Sequence, residues 1–466
     1  MCPPDPARPE AALPEGEAGM ISPTPAAAPP GDNASTTDLP AAATVFHLYT
    51  DDIALEDDGP LGEVERLIAA GDRAGAIAHA VEAAAREDER PSTGLVTSLA
   101  HCLIELGEPA QAAALIEPLA AAGQANPRAL VVLARAMSLA GRHQEALGAL
   151  NEASLLDGRS ATVLLALGAA RMAADDFPRA IGDFERVLRL STGDGERDAN
   201  ERAEAHFRLG EAWAAMDEPA RAARHFKASQ ADDPADRRGA GIRLAELDAQ
   251  PAPTRASAAY VRALFDGYAP RYDGHMRTAL SYRGPEILLK AAEAAGLSAG
   301  GPYAAIDLGC GTGLSGAAFH AHCASLTGVD LSPRMCAAAE ASGFYTRVVA
   351  GDLLKVLDEG NRFGLAIACD TMIYLGDLAP LFSSLASALV PRGWFVFSTE
   401  KSDGQSEEAS ARGFEVGPAR RFRHTETYLR TLAERHGFEV VSMDVDALRT
   451  EKRVPVESFI GVMRKS

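Results

Sequence analysis

The run Asp307-Leu308-Gly309-Cys310-Gly311-Thr312-Gly313 comes directly after the apolar stretch Ala304-Ala305-Ile306. It reads as a buried strand that ends in an acid, then a glycine-rich turn, then the start of a helix. Asp330 closes the next strand-like run, Leu326-Thr327-Gly328-Val329, about one βα unit later. That pairing lets bare backbone approach an adenosine-type cofactor while an acid grips its ribose. The surrounding pattern alternates. Strands are expected over 304–308, 325–329, 346–349, 365–369 and 394–398, with helices over 314–322, 333–341 and 378–389. Such alternation predicts a parallel, doubly wound α/β sheet. Two further strands, 439–443 and 459–463, are connected through 444–457, only 14 residues with a proline, which suits an antiparallel final pair.

The chain has 466 residues, enough for two or three domains. No run of 18 apolar residues predicts a membrane span, and the first 20 residues lack a basic start and an apolar core. A cytoplasmic protein is therefore expected. Six scattered cysteines without a CxxC pair or a histidine cluster predict free thiols and no metal site. Charge is uneven. From Pro251 to Ser466 there are 23 basic and 24 acidic residues, whereas the first 250 carry 22 against 41. An acidic N-terminal half argues against nucleic acid or an anionic membrane as its partner.

Residues 1–45 are rich in Pro, Ala and Gly and predict a disordered tail. From 60 to 247 the pattern is helical and repeats. Leu99-Ala100, Leu133-Ala134 and Leu167-Gly168 recur every 34 residues. Gly107, Gly141 and Asp175 follow each pair by seven residues, and Ala112, Ala146 and Ala180 by twelve. A fourth unit carries Leu209-Gly210, Asp217 and Ala222 after 42 residues, the extra eight being expected as a loop over 192–199. Phe184 and Phe226 hold equivalent places, and an earlier partial unit shows Gly71 and Ala76. Paired helices need small residues where they cross and large ones where pairs stack. The repeat resembles the tetratricopeptide repeat, departing from it at the aromatic places of the first helix. That resemblance implies an all-α solenoid offering a surface to a protein or peptide partner. Residues 248–254 read as a linker, and a second domain is expected over 255–466.

Gly311-Thr312-Gly313-Leu314-Ser315-Gly316 is literally GxGxxG, which a nicotinamide dinucleotide site also uses. Against that reading, Asp307 at the strand end would repel a pyrophosphate and welcome a cationic amino-acid group. A third acidic turn, Gly351-Asp352-Leu353, follows the third strand. Together with Gly328-Val329-Asp330 and the late run Leu389-Val390-Pro391-Arg392-Gly393-Trp394-Phe395, these residues resemble the class I S-adenosylmethionine-dependent methyltransferases, of the bacterial kind fused to tetratricopeptide repeats. The stretch from Phe265 to Asp273 fits the segment that precedes the fold in those proteins.

The resemblance implies a Rossmann-like methyltransferase fold and S-adenosyl-L-methionine as cofactor. Gly309, Gly311 and Gly313 would let the backbone reach its amino-acid part, and Asp307 would anchor the ammonium. Asp330 would take the ribose hydroxyls, Asp352 the adenine amine, and Leu353 the ring face. Tyr268 and Tyr272 would fold over it as a lid. The acceptor region should follow the fourth strand, at 369–377. Asp370, Tyr374 and His424 are the base or orienting candidates, and no Asn-Pro-Pro-Tyr motif for a planar nitrogen is present. Arg412, Arg420, Arg421 and Arg423 form a basic cluster that reads as a solvated loop or a grip for an anionic acceptor. O- or C-methylation of a small-molecule or carrier-linked acceptor leads this reading, with the repeats recruiting a partner. Methylation of a repeat-bound protein, a non-catalytic scaffold and a nicotinamide oxidoreductase are the alternatives.

Overall fold

The computed structural model describes residues 59–69, 72–85, 92–297, 303–417, 419–451 and 453–466. The expected tail over 1–45 and the repeat mark Gly71 lie outside them. Residues 60–246 form helices: α1 (Pro60–Ala69), α2 (Arg73–Ala85), α3 (Thr93–Glu105), α4 (Pro109–Ala121), α5 (Pro127–Leu139), α6 (His143–Leu156), α7 (Ala161–Ala173), α8 (Phe177–Leu190), α9 (Glu196–Ala215), α10 (Pro219–Asp232) and α11 (Ala240–Glu246). None of the described helices is long and apolar enough to cross a membrane.

The repeated residues have repeated jobs. Ser92, Asn126 and Ser160 each cap a helix by accepting the backbone N–H of Leu95, Ala129 and Val163. A cap of this kind is typically worth ~1 kcal/mol. Gly107, Gly141, Asp175 and Asp217 all sit at positive φ, between 56° and 81°, in the turns between paired helices. Glycine takes that conformation freely and aspartate tolerates it. Ala112, Ala146, Ala180 and Ala222 are fully buried. Where Phe184 and Phe226 fill the pair, the facing residue is Gly168 or Gly210, and a Cβ there would lie 2.5 Å from the ring. The extra eight residues of the fourth unit are not all loop. Gly195 caps α9, whose first turn carries Glu196 and Asp198; acids at that end favour helix.

The segment 248–254 is irregular, as a linker should be, yet it is fastened to the α/β part. The Ala252 N–H donates to Glu408 Oε1 (2.9 Å), and Arg412 Nη1 donates to the Ala252 carbonyl (2.7 Å). The Gly376 and Asp377 N–H groups both donate to the Thr254 carbonyl, at 2.9 and 2.7 Å.

Three helices, α12 (Ala258–Tyr268), α13 (Tyr272–Thr278) and α14 (Gly284–Ala294), precede the sheet. Then β1 (Tyr303–Leu308), α15 (Leu314–Phe319), β2 (Cys323–Asp330), α16 (Pro333–Ser342), β3 (Arg347–Ala350), α17 (Leu353–Leu357), β4 (Phe363–Ala368), α18 (Ala379–Ala388) and β5 (Leu389–Lys401) alternate. The remainder comprises α19 (Glu407–Arg412), β6 (Phe414–Val416), β7 (Phe422–His424), α20 (Glu426–Arg435), β8 (Phe438–Glu451) and β9 (Val454–Lys465). The sheet order is β3-β2-β1-β4-β5-β7-β6, with β9 antiparallel to both β5 and β8. Strands β3, β2, β1, β4 and β5 are mutually parallel, so the turns after β1 to β4 share one edge of the sheet. The final hairpin is longer than expected. Most of the supposed 14-residue connection belongs to its strands, and Pro455 is in register with Thr450 near the turn.

The helical and α/β parts also touch directly. Arg420 Nη2 on the α/β side meets Glu211 Oε2 at 3.0 Å, Arg334 pairs with Glu105, and Ser257 Oγ donates to the Asp236 carbonyl at 2.9 Å.

Candidate functional site

The four turns at the shared sheet edge line one cleft, roofed by α12 and α13. After β1 the chain turns at Gly309 (φ 75°), whose N–H donates to the Val329 carbonyl at 2.7 Å. A Cβ there would overlap Thr371 Oγ1, so this position must be bare backbone. Gly311 also lines the cleft, while Gly313 begins α15 to one side.

Asp307 lies beneath this turn and has no exposed surface. Tyr345 Oη donates to its Oδ2 at 2.7 Å, while Oδ1 has no partner. Burial pushes its carboxyl up to about 7, with the Tyr345 hydrogen bond pulling the other way. Asp330, at the end of β2, accepts the Gly311 N–H on Oδ2 (3.1 Å) and the Ser332 N–H on Oδ1 (2.8 Å). Its carboxyl is likewise raised by burial. Asp352 caps α17 through the Leu354 N–H (3.0 Å) and receives Arg255 Nη1 at 2.9 Å. Leu353 lines the cleft beside it.

The roof is tied down at two points. Ser332 Oγ donates to Asp266 Oδ1 (2.6 Å), and Thr312 Oγ1 donates to Asp273 Oδ1 (2.5 Å). Tyr272 and Phe265 face the cleft from it. Tyr268 does not line the cleft; it is buried, packs edge-on against Tyr272 and hydrogen-bonds His275. The two tyrosines are thus brought together, with one of them at the cleft.

Beyond β4, Asp370 and Tyr374 line the cleft. Asp370 holds positive φ (53°), a conformation that aspartate tolerates. Arg449 Nη1, from β8, donates to Asp370 Oδ2 at 2.8 Å, and Asp370 Oδ1 has no partner. Arg449 is almost fully buried and also bonds Glu400 and Glu451; Arg421 bonds the same two acids, each at 2.5 Å. Tyr374 packs edge-on against Phe265, 5.4 Å between ring centroids, and burial raises its hydroxyl above the usual range.

Two expectations need correcting. His424 is not at the cleft: it is fully buried, shares a 2.6 Å hydrogen bond with Thr399 and bonds the Gly376 carbonyl at 3.0 Å. Burial holds its imidazole down near 4, so it is neutral and spent on packing. The basic cluster is neither a solvated loop nor a grip at the cleft. Arg412 pairs with Glu408, Arg420 with Glu211, and Arg421 with Glu400 and Glu451, while Arg423 Nε donates to the Lys401 carbonyl. Arg449 and Tyr345 escape sequence reasoning, because their partners lie 79 and 38 residues away in the chain.

Residues 305–393, from β1 into β5, match the family described as Methyltransferase domain. This stretch is a methyltransferase domain. It contains every cleft residue from Gly309 to Leu375. No curated protein matches the chain. Among solved structures, the chain is similar to the Burkholderia thailandensis 1,6-didemethyltoxoflavin-N1-methyltransferase with bound 1,6-didemethyltoxoflavin and S-adenosylhomocysteine. That likeness is at 22% identity, over 47% of this chain and 93% of that one, with a TM-score of 0.35. The N-methyltransferase NodS of Bradyrhizobium japonicum WM9 is 19% identical over 39% of this chain and 85% of its own, with a TM-score of 0.31. The magnesium protoporphyrin IX methyltransferase of Synechocystis PCC 6803 is 20% identical over 43% and 87%, with a TM-score of 0.31.

Proposed function

We propose that the chain transfers a methyl group from S-adenosyl-L-methionine to a small-molecule or carrier-linked acceptor. The observation that carries this reading is convergence. Gly309 and Gly311 after β1, Asp330 after β2, Asp352 and Leu353 after β3, and Asp370 and Tyr374 after β4 share one cleft within a methyltransferase domain. The residues fit the cofactor. The bare turn at Gly309 leaves room for its amino-acid part, and Asp307, with one oxygen unpartnered, suits its ammonium directly or through water. Asp330 takes the ribose hydroxyls on the lone pairs its two backbone donors leave free. Leu353 packs on the adenine, with Asp352 at the amine, and Tyr272 covers the site.

The cofactor supplies an activated methyl on a good leaving group. The protein's own contribution is to align the acceptor and keep water out. Such positioning can supply roughly 7–11 kcal/mol of a barrier. Phe265, Tyr272 and Tyr374 enclose the reacting end, and Asp370 orients the acceptor.

The helical part supports a recruiting role. A groove of about 1500 Å³ lies between it and α12, lined by Arg128, Asn200 and Arg237 on one side and Arg262 and Asp266 on the other. That exceeds the ~300–1,000 Å³ of ordinary small-molecule sites. Helix α12 gives Val261 and Phe265 to the cleft and Arg262 to the groove. This proximity favours, as a second reading, methylation of a protein or peptide held by tetratricopeptide-like repeats.

Calorimetric titration with S-adenosylmethionine and with S-adenosylhomocysteine tests the cofactor assignment. Saturable binding is expected, and Asp330→Ala should lose most of it. Unchanged affinity in that variant would refute the ribose role, and no binding by the native chain would leave a scaffold.

A further inference from the structure

Behind Asp370, which lines the cleft, lies an unbalanced charge. Asp370, Glu400 and Glu451 share two guanidinium groups, Arg449 and Arg421. Three carboxylates against two cations leave one negative charge in excess. The network is buried: Arg449, Arg421 and Glu400 are 4%, 8% and 5% exposed. Arg255 is the one basic side chain among the described residues lining the cleft, and Asp352 already engages it. Asp370 Oδ1 is buried and unpartnered. An orphaned carboxylate oxygen is costly unless a donor arrives to meet it.

We propose that the acceptor is an amine, held through an N–H to Asp370 Oδ1 and methylated on nitrogen. The inference rests on the methyl-transfer reading above and revises the expectation of O- or C-methylation. A phenolate, enolate or carboxylate nucleophile would set a second negative charge beside Asp370, with the cofactor's sulfonium to offset it but no free basic side chain among the described cleft residues. A neutral alcohol would need a strong base, and the carboxylate of Asp370 is a weak one. His424 is off the cleft, and burial keeps the Tyr272 hydroxyl protonated. An amine needs neither: the ammonium that prevails near neutral pH binds, loses a proton to water and attacks through the lone pair so freed. Its lone pair forms the N–C bond while the C–S pair stays on sulfur, which becomes a neutral thioether. The positive charge passes to nitrogen, where Asp370 and the aromatic side chains of Phe265, Tyr272 and Tyr374 lining the cleft receive it. The surplus proton then leaves to Asp370 or to water.

Three probes that share a ring and a short chain separate the classes: phenethylammonium, 2-phenylethanol and 3-phenylpropanoate. Each is titrated into the full chain saturated with S-adenosylhomocysteine. The ammonium should bind saturably and at least tenfold tighter than the alcohol, and the carboxylate should not bind. Asp370→Asn should erase the preference while S-adenosylhomocysteine affinity stays unchanged. Equal or tighter binding of the carboxylate, no binding of the ammonium, or a preference that survives in Asp370→Asn would each overturn the proposal. The ranking of probes on the native chain stands even if the variant does not fold. Failure of S-adenosylhomocysteine to bind would instead sink the cofactor reading, and the probes would then be ranked on the free protein.

Discussion

Asp307 shows how one buried carboxyl can set the working range of a site. In the free protein, desolvation moves it from 3.8 to about 7. The folded state therefore holds its proton more tightly than the unfolded chain does. The cost to stability appears above pH 3.8 and is complete above about 7. A cofactor ammonium prefers the ionised form. Affinity for S-adenosylmethionine should accordingly rise between pH 5 and 7, whereas Asp307→Asn should bind weakly and flatly over the same range. Calorimetry at each pH reads this directly, and a wild-type profile as flat as the variant's would remove Asp307 from the ammonium site. Asp307, Asp330 and Asp352 were legible in the sequence because each closes an apolar run at a turn, where burial and a glycine neighbour advertise a special position. Tyr345 was not, since nothing local marks a tyrosine whose hydroxyl reaches across to Asp307. His424 misled for the converse reason: a histidine in a polar stretch reads as a base candidate, yet short β7 carries it into the core, away from the cleft.

At the scale of the element, the helix pairs balance small against large. Ala100 and Ala134 occupy in two units the place that Gly168 and Gly210 hold opposite Phe184 and Phe226. Ile116 and Leu150 stand where the phenylalanines would be, so a methyl gained on one helix accompanies a ring lost from the other. Gly168→Ala should therefore destabilise the chain by about 1–3 kcal/mol through overpacking, despite its better helix propensity. Gly168→Ala with Phe184→Leu should recover most of that loss. Urea denaturation of the four members of the cycle measures the coupling, and simple additivity would show that the ring and the glycine do not constrain each other. The long apolar strands and the repeated helices could be read from the chain because burial imposes its period on them. The short pieces α19, β6 and β7 could not, since three to six residues carry too little pattern to display one. The extension of α9 was hidden by Gly193 and Gly195, which look like loop and serve as its cap and approach.

The whole molecule behaves as more than a repeat tethered to an enzyme. A run such as Pro251-Ala252-Pro253 suggests a free hinge, but hydrogen bonds from the α/β part hold Ala252 and Thr254 in place. The acidic half contributes Glu105, Glu211 and Glu246 to the contact, and the nearly neutral half answers with Arg334 and Arg420. This placement gives part of the negative surplus a structural use that a charge count alone cannot reveal. Arg420 is 26% exposed and Glu211 12% at their side chains, so the pair is only partly screened by solvent. With Arg420 removed, Glu211 keeps Arg243 as a partner, so the helical part should remain folded. Arg334→Ala combined with Arg420→Ala should then loosen the joint without unfolding either side. Limited proteolysis across 248–254 is expected to be slow in the native chain and several-fold faster in the double variant, with added salt speeding the native chain toward it. Cleavage at the same rate in both would mean that the hydrogen bonds at Ala252 and Thr254, rather than the ion pairs, hold the helical repeats against the methyltransferase domain.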